Sequence, residues 1–228
     1  MSNIFIISLG GSLVVPENGI NFKFIKKFKK LILKKINKKG DKFFIIVGGG
    51  KTCRDYNRAI DKIVKTTDEN KHWLGIETTR LNAHLLKIIF KDACEQKIIL
   101  DPTKKIKTDK KIILAGGWKP GWSTDYVAVT IAEKYGLKKI INLTNIDYIF
   151  NKDPKKYKDA KPIKEIKWQN YKKLINNKWR PGMNAPFDPI ASRKAEKLKI
   201  EVNILNGANL KNLENYLKKE KFKGTKIY

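Results

Sequence analysis

Short apolar runs alternate with stretches of helical periodicity almost from one end of the chain to the other. Ile4 to Leu9, Phe43 to Val47, Lys97 to Leu100, Ile112 to Ala115, Lys139 to Leu143 and Glu201 to Leu205 have the composition of strands. Between them, apolar positions recur at the spacing of a helix face. A helix is predicted from about Phe22, capped by Asn21, to Asn37, with Phe24, Ile25, Phe28, Leu31, Ile32 and Ile36 on one side and lysines on the other; Gly40 closes it. Further helices are predicted to begin near Lys51, Leu74, Thr124, Trp168, Asp188 and Asn209, the fifth and sixth parted by a loop from Arg180 to Pro186. Strands alternating with helices predict an α/β fold on a largely parallel sheet.

One segment departs from this rhythm. Asp147 to Pro154 has the pattern of a strand or hairpin edge ending at a proline-marked turn, and a lysine-rich excursion follows to Pro162. An excursion beyond a strand end is where a ligand-covering loop is expected. There is no internal repeat and no break in composition, so residues 1–228 are expected to form one domain, with any division into an N-terminal and a C-terminal part falling near residue 137.

Charge changes the picture less than its size suggests. The formal net charge is +28, yet only five of the 50 basic residues are arginine, and the lysines are spread over exposed helix faces, as in Lys23, Lys26, Lys27, Lys29 and Lys30. A dispersed lysine surface predicts a solvated exterior, with no specific nucleic-acid partner. Cys53 and Cys94 lack the spacing or the neighbouring histidines of a zinc set, so reduced thiols in a cytoplasmic protein are expected and no residue is assigned to a resident metal. No apolar stretch reaches the roughly 20 residues that span a bilayer.

Three glycine-rich loops follow strands: Gly10-Gly11-Ser12, Gly48-Gly49-Gly50, and the segment from Gly116 to Asp125. A glycine turn that opens a helix directs backbone N–H groups at an anion, so each is a candidate phosphate cradle, and three together suggest two phosphorylated ligands. Gly50-Lys51-Thr52 has the tail of a P-loop but Ile45 stands where its first glycine belongs, and Cys53 breaks the dinucleotide-binding pattern. Arg54, one turn into the helix, can donate to phosphate oxygens. In the third loop Ser123, Thr124 and Asp125 stand at a helix start, either as an ordinary cap cluster or as a site at which Asp125 orients donors or a magnesium-bound water.

These motifs resemble the amino acid kinase family, and within it the archaeal-type uridylate (UMP) kinases. The resemblance rests on Ile7-Ser8-Leu9-Gly10-Gly11-Ser12, Val47 to Lys51 with Arg54, Thr79-Arg80-Leu81-Asn82-Ala83, Gly116-Gly117 with Pro120-Gly121 and Ser123-Thr124-Asp125, Leu143 to Asp147, Asp153-Pro154-Lys155, Phe187 to Ala191, and Gly224-Thr225, in order along essentially the whole chain. It implies a three-layer αβα sandwich, a hexamer, and transfer of the γ-phosphoryl of ATP to UMP with Mg²⁺. Carried over by residue, it implies catalytic roles for Arg54 and Asp125. Gly10, Gly11, Ser12, Gly50, Arg54, Thr144, Asn145, Phe150 and Asp153 would bind ATP. Gly49, His72, Gly117, Trp118, Lys119, Pro120, Gly121, Trp122 and Ser123 would bind UMP, with the acceptor bound by the part before residue 137 and ATP by the part after it.

The chain departs from the family pattern at three positions. Ser8 stands where many relatives have a phosphate-facing lysine, His72 where the archaeal pattern has a ribose-binding aspartate, and Tyr148 where a glycine is usual. Neutral imidazole accepts one hydrogen bond where a carboxylate offers two oxygens. These departures keep two alternatives open, a family member with another small acceptor and a catalytically silent nucleotide-binding protein.

Overall fold

Strands made of consecutive apolar residues have to be covered on both faces. The computed structural model, which describes residues 2–154, 156–175 and 185–228, meets that requirement with helices on either side of one sheet. In chain order the elements are β1 (Ile4–Leu9), α1 (Gly11–Val14), α2 (Phe22–Lys39), β2 (Lys42–Val47), α3 (Gly50–Ile63), α4 (Asp68–Phe90), β3 (Ile112–Ala115), α5 (Thr124–Lys134), β4 (Lys139–Thr144), β5 (Ile149–Phe150), β6 (Pro162–Ile163), β7 (Glu165–Ile166), α6 (Trp168–Leu174), α7 (Pro189–Lys197), β8 (Glu201–Asn206), α8 (Leu210–Leu217) and β9 (Thr225–Ile227). The main sheet runs β3-β2-β1-β4-β8-β9-β7, and every pairing in it is parallel except β8 with β9; β5 and β6 form a separate antiparallel pair.

Strand alternation divides the core in two. Ile7, Leu9, Phe43, Ile45 and Val47 face Phe28 and Ile32 of α2, Leu86 of α4 and Leu213 of α8. Ile6, Phe44 and Ile46 face Val127 and Ile131 of α5, Tyr171 of α6 and Ala191 and Ala195 of α7. The result is a three-layer αβα sandwich. Each fully buried aromatic or aliphatic side chain contributes about 1.5–3 kcal/mol to holding the layers together. The same alternation decides where Ser8 goes: it shares the face of Ile6 and is therefore turned toward α5, buried at 4% exposure.

Local signals place the helices. The Asn21 side chain accepts from the Phe24 N–H at 3.0 Å, and Gly40 ends α2 in the left-handed region at φ 65°. Asp188 caps α7 by accepting from the Ala191 N–H at 2.7 Å, and Pro189 occupies the first helical position.

Several expectations are corrected. The helix expected near Leu74 begins at Asp68, capped by Thr67; its first turns are polar and carry no apolar periodicity. Lys97 to Leu100 is not a continuous strand; at the sheet margin only Ile99 bridges to Ala115, and the chain turns away at Asp101 and Pro102. The pairs and triplets of β6, β7 and β9, and the four residues of α1, are too short to carry a period. Tyr148 precedes β5 and is not among the described non-glycine residues with positive φ, so its backbone needs no glycine. Trp168 packs in the core, where its Nε1 donates to the Ile200 carbonyl at 3.1 Å. Lys155, Trp179 and the loop from Arg180 to Asn184 lie outside the described residues.

Gly11 tests the architecture. A Cβ there would stand 2.1 Å from the Gly50 nitrogen and 2.6 Å from the Gly48 carbonyl carbon, backbone against backbone. Gly11→Ala is expected to cost about 3 kcal/mol or more, whereas Gly121→Ala, with open space but φ +85°, costs about 1 kcal/mol. Chemical denaturation of the two variants measures the difference; equal costs would mean that the loops separate freely.

Candidate functional site

Parallel strands bring their carboxyl ends to one edge of the sheet, where ligands bind in open α/β folds. Here the loops after β1, β2, β3 and β4 meet along that edge. The Gly10 N–H donates to the Leu143 carbonyl at 2.8 Å, Gly48 to Leu9 at 2.9 Å, and Lys51 to Val15 at 2.8 Å. Gly11 lies against Gly48 and Gly50, and Gly50 adopts φ +65° with no room for a Cβ between the Gly11 and Val15 carbonyl oxygens. Glycine therefore serves first to let the two loops touch. Gly49 and Gly50 still open α3, whose first-turn N–H groups lack partners within the helix.

One face of α4 fixes these loops. Asn82, 4% exposed, donates from Nδ2 to the carbonyls of Gly48 at 2.8 Å and Gly49 at 3.1 Å. Thr79 Oγ1 accepts from the Gly117 N–H at 2.5 Å and donates to the Ile76 carbonyl at 2.6 Å. Arg80 Nη2 donates to the Trp118 carbonyl at 3.2 Å. The N–H of Gly117, a residue expected at the acceptor nucleotide, is thus held by Thr79 within the fold. The sequence had marked Thr79 to Ala83 as a motif without showing that it acts as a bracket.

Asp125 is a second joint. Its Oδ1 accepts from Ser8 Oγ at 2.9 Å and its Oδ2 from the Asp188 N–H at 3.1 Å, linking the end of β1 to the start of α7 across α5. Burial and then the neighbouring Asp188 carboxylate push the Asp125 carboxyl up to about 7. Burial also raises Asp188, against the pull of its own cap bonds and of the Ser123 side chain, and its Oδ2 is buried without a hydrogen bond among the described residues. Ser123 caps α5, accepting from the Tyr126 N–H at 3.1 Å. Ser8 stands out in the sequence as a departure from the family pattern and Asp188 as part of a motif; their link through Asp125 appears only in three dimensions.

A cavity of about 810 Å³ opens between α3, α4 and the loop before α5. Of the residues expected to bind the acceptor, Gly49, His72, Gly117, Lys119, Trp122 and Ser123 line it, together with Arg54, which was expected at the ATP phosphates. Trp118, Pro120 and Gly121 stand outside it; Trp118 stacks on Trp122 at 6.2 Å and packs against the α5 side of the core. His72 lies in the second turn of α4, half-buried, and burial lowers its pKa, so its imidazole is neutral at pH 7. Arg54 is held by Ser12, whose Oγ accepts at 3.3 Å, and by Glu17, whose Oε1 accepts at 2.6 Å. Lys51 pairs with Asp55. Glu17 gave no sequence signal, since it lies in an irregular loop 37 residues from its partner.

The residues expected to hold a second nucleotide lie along the same edge. Gly10, Gly11, Ser12 and Gly50 occupy the junction of the first two loops, Thr144 ends β4 beside Asn145, and Phe150 lies in β5, followed by the turn at Asp153. Among the described residues no group of three or more His, Cys, Asp or Glu could hold a metal ion by itself.

The chain's similarities to known proteins extend over most of its length. Residues 3–206 match the family model described as the amino acid kinase family. The chain is 34% identical over 227 residues to a uridylate kinase of Methanobrevibacter smithii, covering 97% of each, and 32% identical to one of Staphylothermus marinus, covering 100% of both. Its fold is similar to the crystal structure of a uridylate kinase from Archaeoglobus fulgidus, with a TM-score of 0.80 at 27% identity over the whole of both chains.

Two outcomes follow from the joints. Asn82→Ala removes both bonds to the glycine triplet and is expected to cost about 1–3 kcal/mol and to raise KM for a phosphate ligand; an unchanged KM would leave Asn82 a purely structural residue. Asp125 keeps its proton in the folded chain where the unfolded chain, with a value of 3.8, has lost it. Its contribution therefore makes stability fall as pH rises from about 4 toward 7, by at most about 1.4 kcal/mol per pH unit, and the slope ends above 7. Thermal unfolding of Asp125→Asn should show the variant gaining on the parent over that window; a constant difference would contradict the assignment.

Proposed function

The chain belongs to the amino acid kinase family, and from that premise we propose that it is a uridylate kinase, transferring the γ-phosphoryl group of ATP to UMP to give ADP and UDP. The observation that carries the proposal is the cavity: residues from three separate stretches, Gly49 and Arg54 at the start of α3, His72 on α4, and Gly117, Lys119, Trp122 and Ser123 before α5, line one space beside the junction of the glycine loops. UMP fits with its phosphate at Gly49 and Arg54, its ribose toward His72 and its base against Trp122. ATP then lies along the edge, its phosphates over Gly10 to Ser12 and Gly50 and its nucleoside at Thr144, Asn145, Phe150 and Asp153.

Phosphoryl transfer asks for alignment of the two phosphates and positive charge on the oxygens of the moving group, with little covalent work by the protein. The contact of Gly11 with Gly48 and Gly50 sets the distance between the two loops, and with it the approach of acceptor to donor. Ser8 is neutral and brings no charge to this point, and its hydroxyl is turned to Asp125. Arg54 is the cation that can, once it exchanges Glu17 for phosphate. Mg²⁺, when bound with ATP, supplies the remaining neutralisation of the phosphate oxygens. The buried Oδ2 of Asp188 would give a hard cation one protein ligand, which is enough where phosphate oxygens and water supply the others.

The hexamer belongs to the same proposal. Trp73, Leu81 and Ile88 are exposed at 42%, 61% and 69% along one side of α4, and such a stripe supports association with further copies. No helix among the described residues is long and apolar enough to cross a membrane; a cytoplasmic enzyme working on the soluble nucleotide pool is the reading adopted here.

A coupled assay of ADP release across the nucleoside monophosphates tests the proposal, with UMP expected to turn over fastest. Turnover with another acceptor but not UMP would overturn the assignment, and nucleotide binding without turnover would make the protein a sensor. Arg54→Ala is expected to lower kcat by roughly 100-fold.

A further inference from the structure

A second cavity lies at the other edge of the sheet. About 1210 Å³ in volume, it opens where β1, β4 and β8 begin, beside the end of α8, and no residue of the site described above lines it. Nothing in phosphoryl transfer accounts for it.

Three features give it a chemistry. Its floor holds Asn203, 1% exposed on β8. The Asn203 Nδ2 donates to Glu201 Oε1 at 2.8 Å and to the Tyr216 hydroxyl at 2.9 Å, which fixes the orientation of the amide. Its Oδ1 is left buried with no hydrogen-bond partner among the described residues. A buried acceptor without a donor is costly, and a ligand N–H removes that cost. The walls are aromatic: Phe5, Tyr148, Tyr216 and Phe222 line the cavity, and the last two meet edge to face at 4.9 Å. The lining carries six lysines against three glutamates, with Lys219 and Lys221 exposed just past α8.

We propose that this cavity is a second ligand site, which takes a planar aromatic anion whose N–H group donates to Asn203 Oδ1. The ring lies against the aromatic walls, and the negative group meets the lysines. An apolar floor with one convergent polar group is how small-molecule sites fix orientation. The charge of the rim excludes cations and favours phosphates, sulfonates or carboxylates.

Binding of 2,6-anilinonaphthalenesulfonate, followed by its fluorescence with UMP and a non-hydrolysable ATP analogue at saturation, tests this independently of turnover. The N-methylated probe has the same rings and charge but no N–H. One probe per chain should bind, about tenfold more tightly with the N–H than with the N-methyl. Asn203→Leu should abolish that preference, while Lys219→Glu combined with Lys221→Glu, both at exposed positions, should weaken both probes severalfold and keep it. Equal affinity of the two probes for the unaltered protein, or displacement of either by UMP or the ATP analogue, overturns the proposal. Because the comparison is made on the unaltered protein, it stands even where Asn203→Leu fails to fold.

Discussion

Everything at the working edge of this molecule depends on a contact between two pieces of main chain. Gly11 touches Gly48 and Gly50 at distances that leave no space for a methyl group. Side chains normally keep loops apart, and their removal here lets the ends of β1 and β2 lie against each other. Backbone contacts cannot shift rotamers to relieve a misfit, so the junction is stiff in the direction that matters for transfer between two bound phosphates. The hydrogen bonds of Gly48 to Leu9 and Lys51 to Val15 close the junction from either side.

Around this junction the supporting groups come from far along the chain. Asn82 and Thr79 hold the second and third loops from α4, and Asp125 ties β1 to α7. The protein thus positions its glycines with buried polar side chains whose bonds are satisfied within the fold. That arrangement suits a chemistry in which donors must stand ready before the ligand arrives.

The sequence carried what is periodic or local. β1, β2, β3, β4 and β8 were legible because each is a run of apolar residues covered on both faces, and α2, α5 and α7 because Asn21, Ser123 and Asp188 mark their starts. The first turns of α4 escaped because polar residues there face the cavity and solvent. The site was legible in outline, since the glycine loops and Trp122 belong to motifs, and the family resemblance supplied His72. The partnerships of Ser8 with Asp125 and of Arg54 with Glu17 were not, being separated by 117 and 37 residues with no pattern to connect them. The bond of the Gly117 N–H to Thr79 was hidden for the same reason: only folding brings the two together.

The grip of Glu17 on Arg54 sets a threshold on what can open the site. The guanidinium already has a carboxylate, at 2.6 Å and largely in solvent, so the pair is weak. A ligand with a single negative charge gains little by taking that carboxylate's place. A phosphate monoester, bearing nearly two charges and three acceptor oxygens at neutral pH, gains considerably more. Under the proposed function, such an exchange would sort ligands by valence before any base or sugar is inspected.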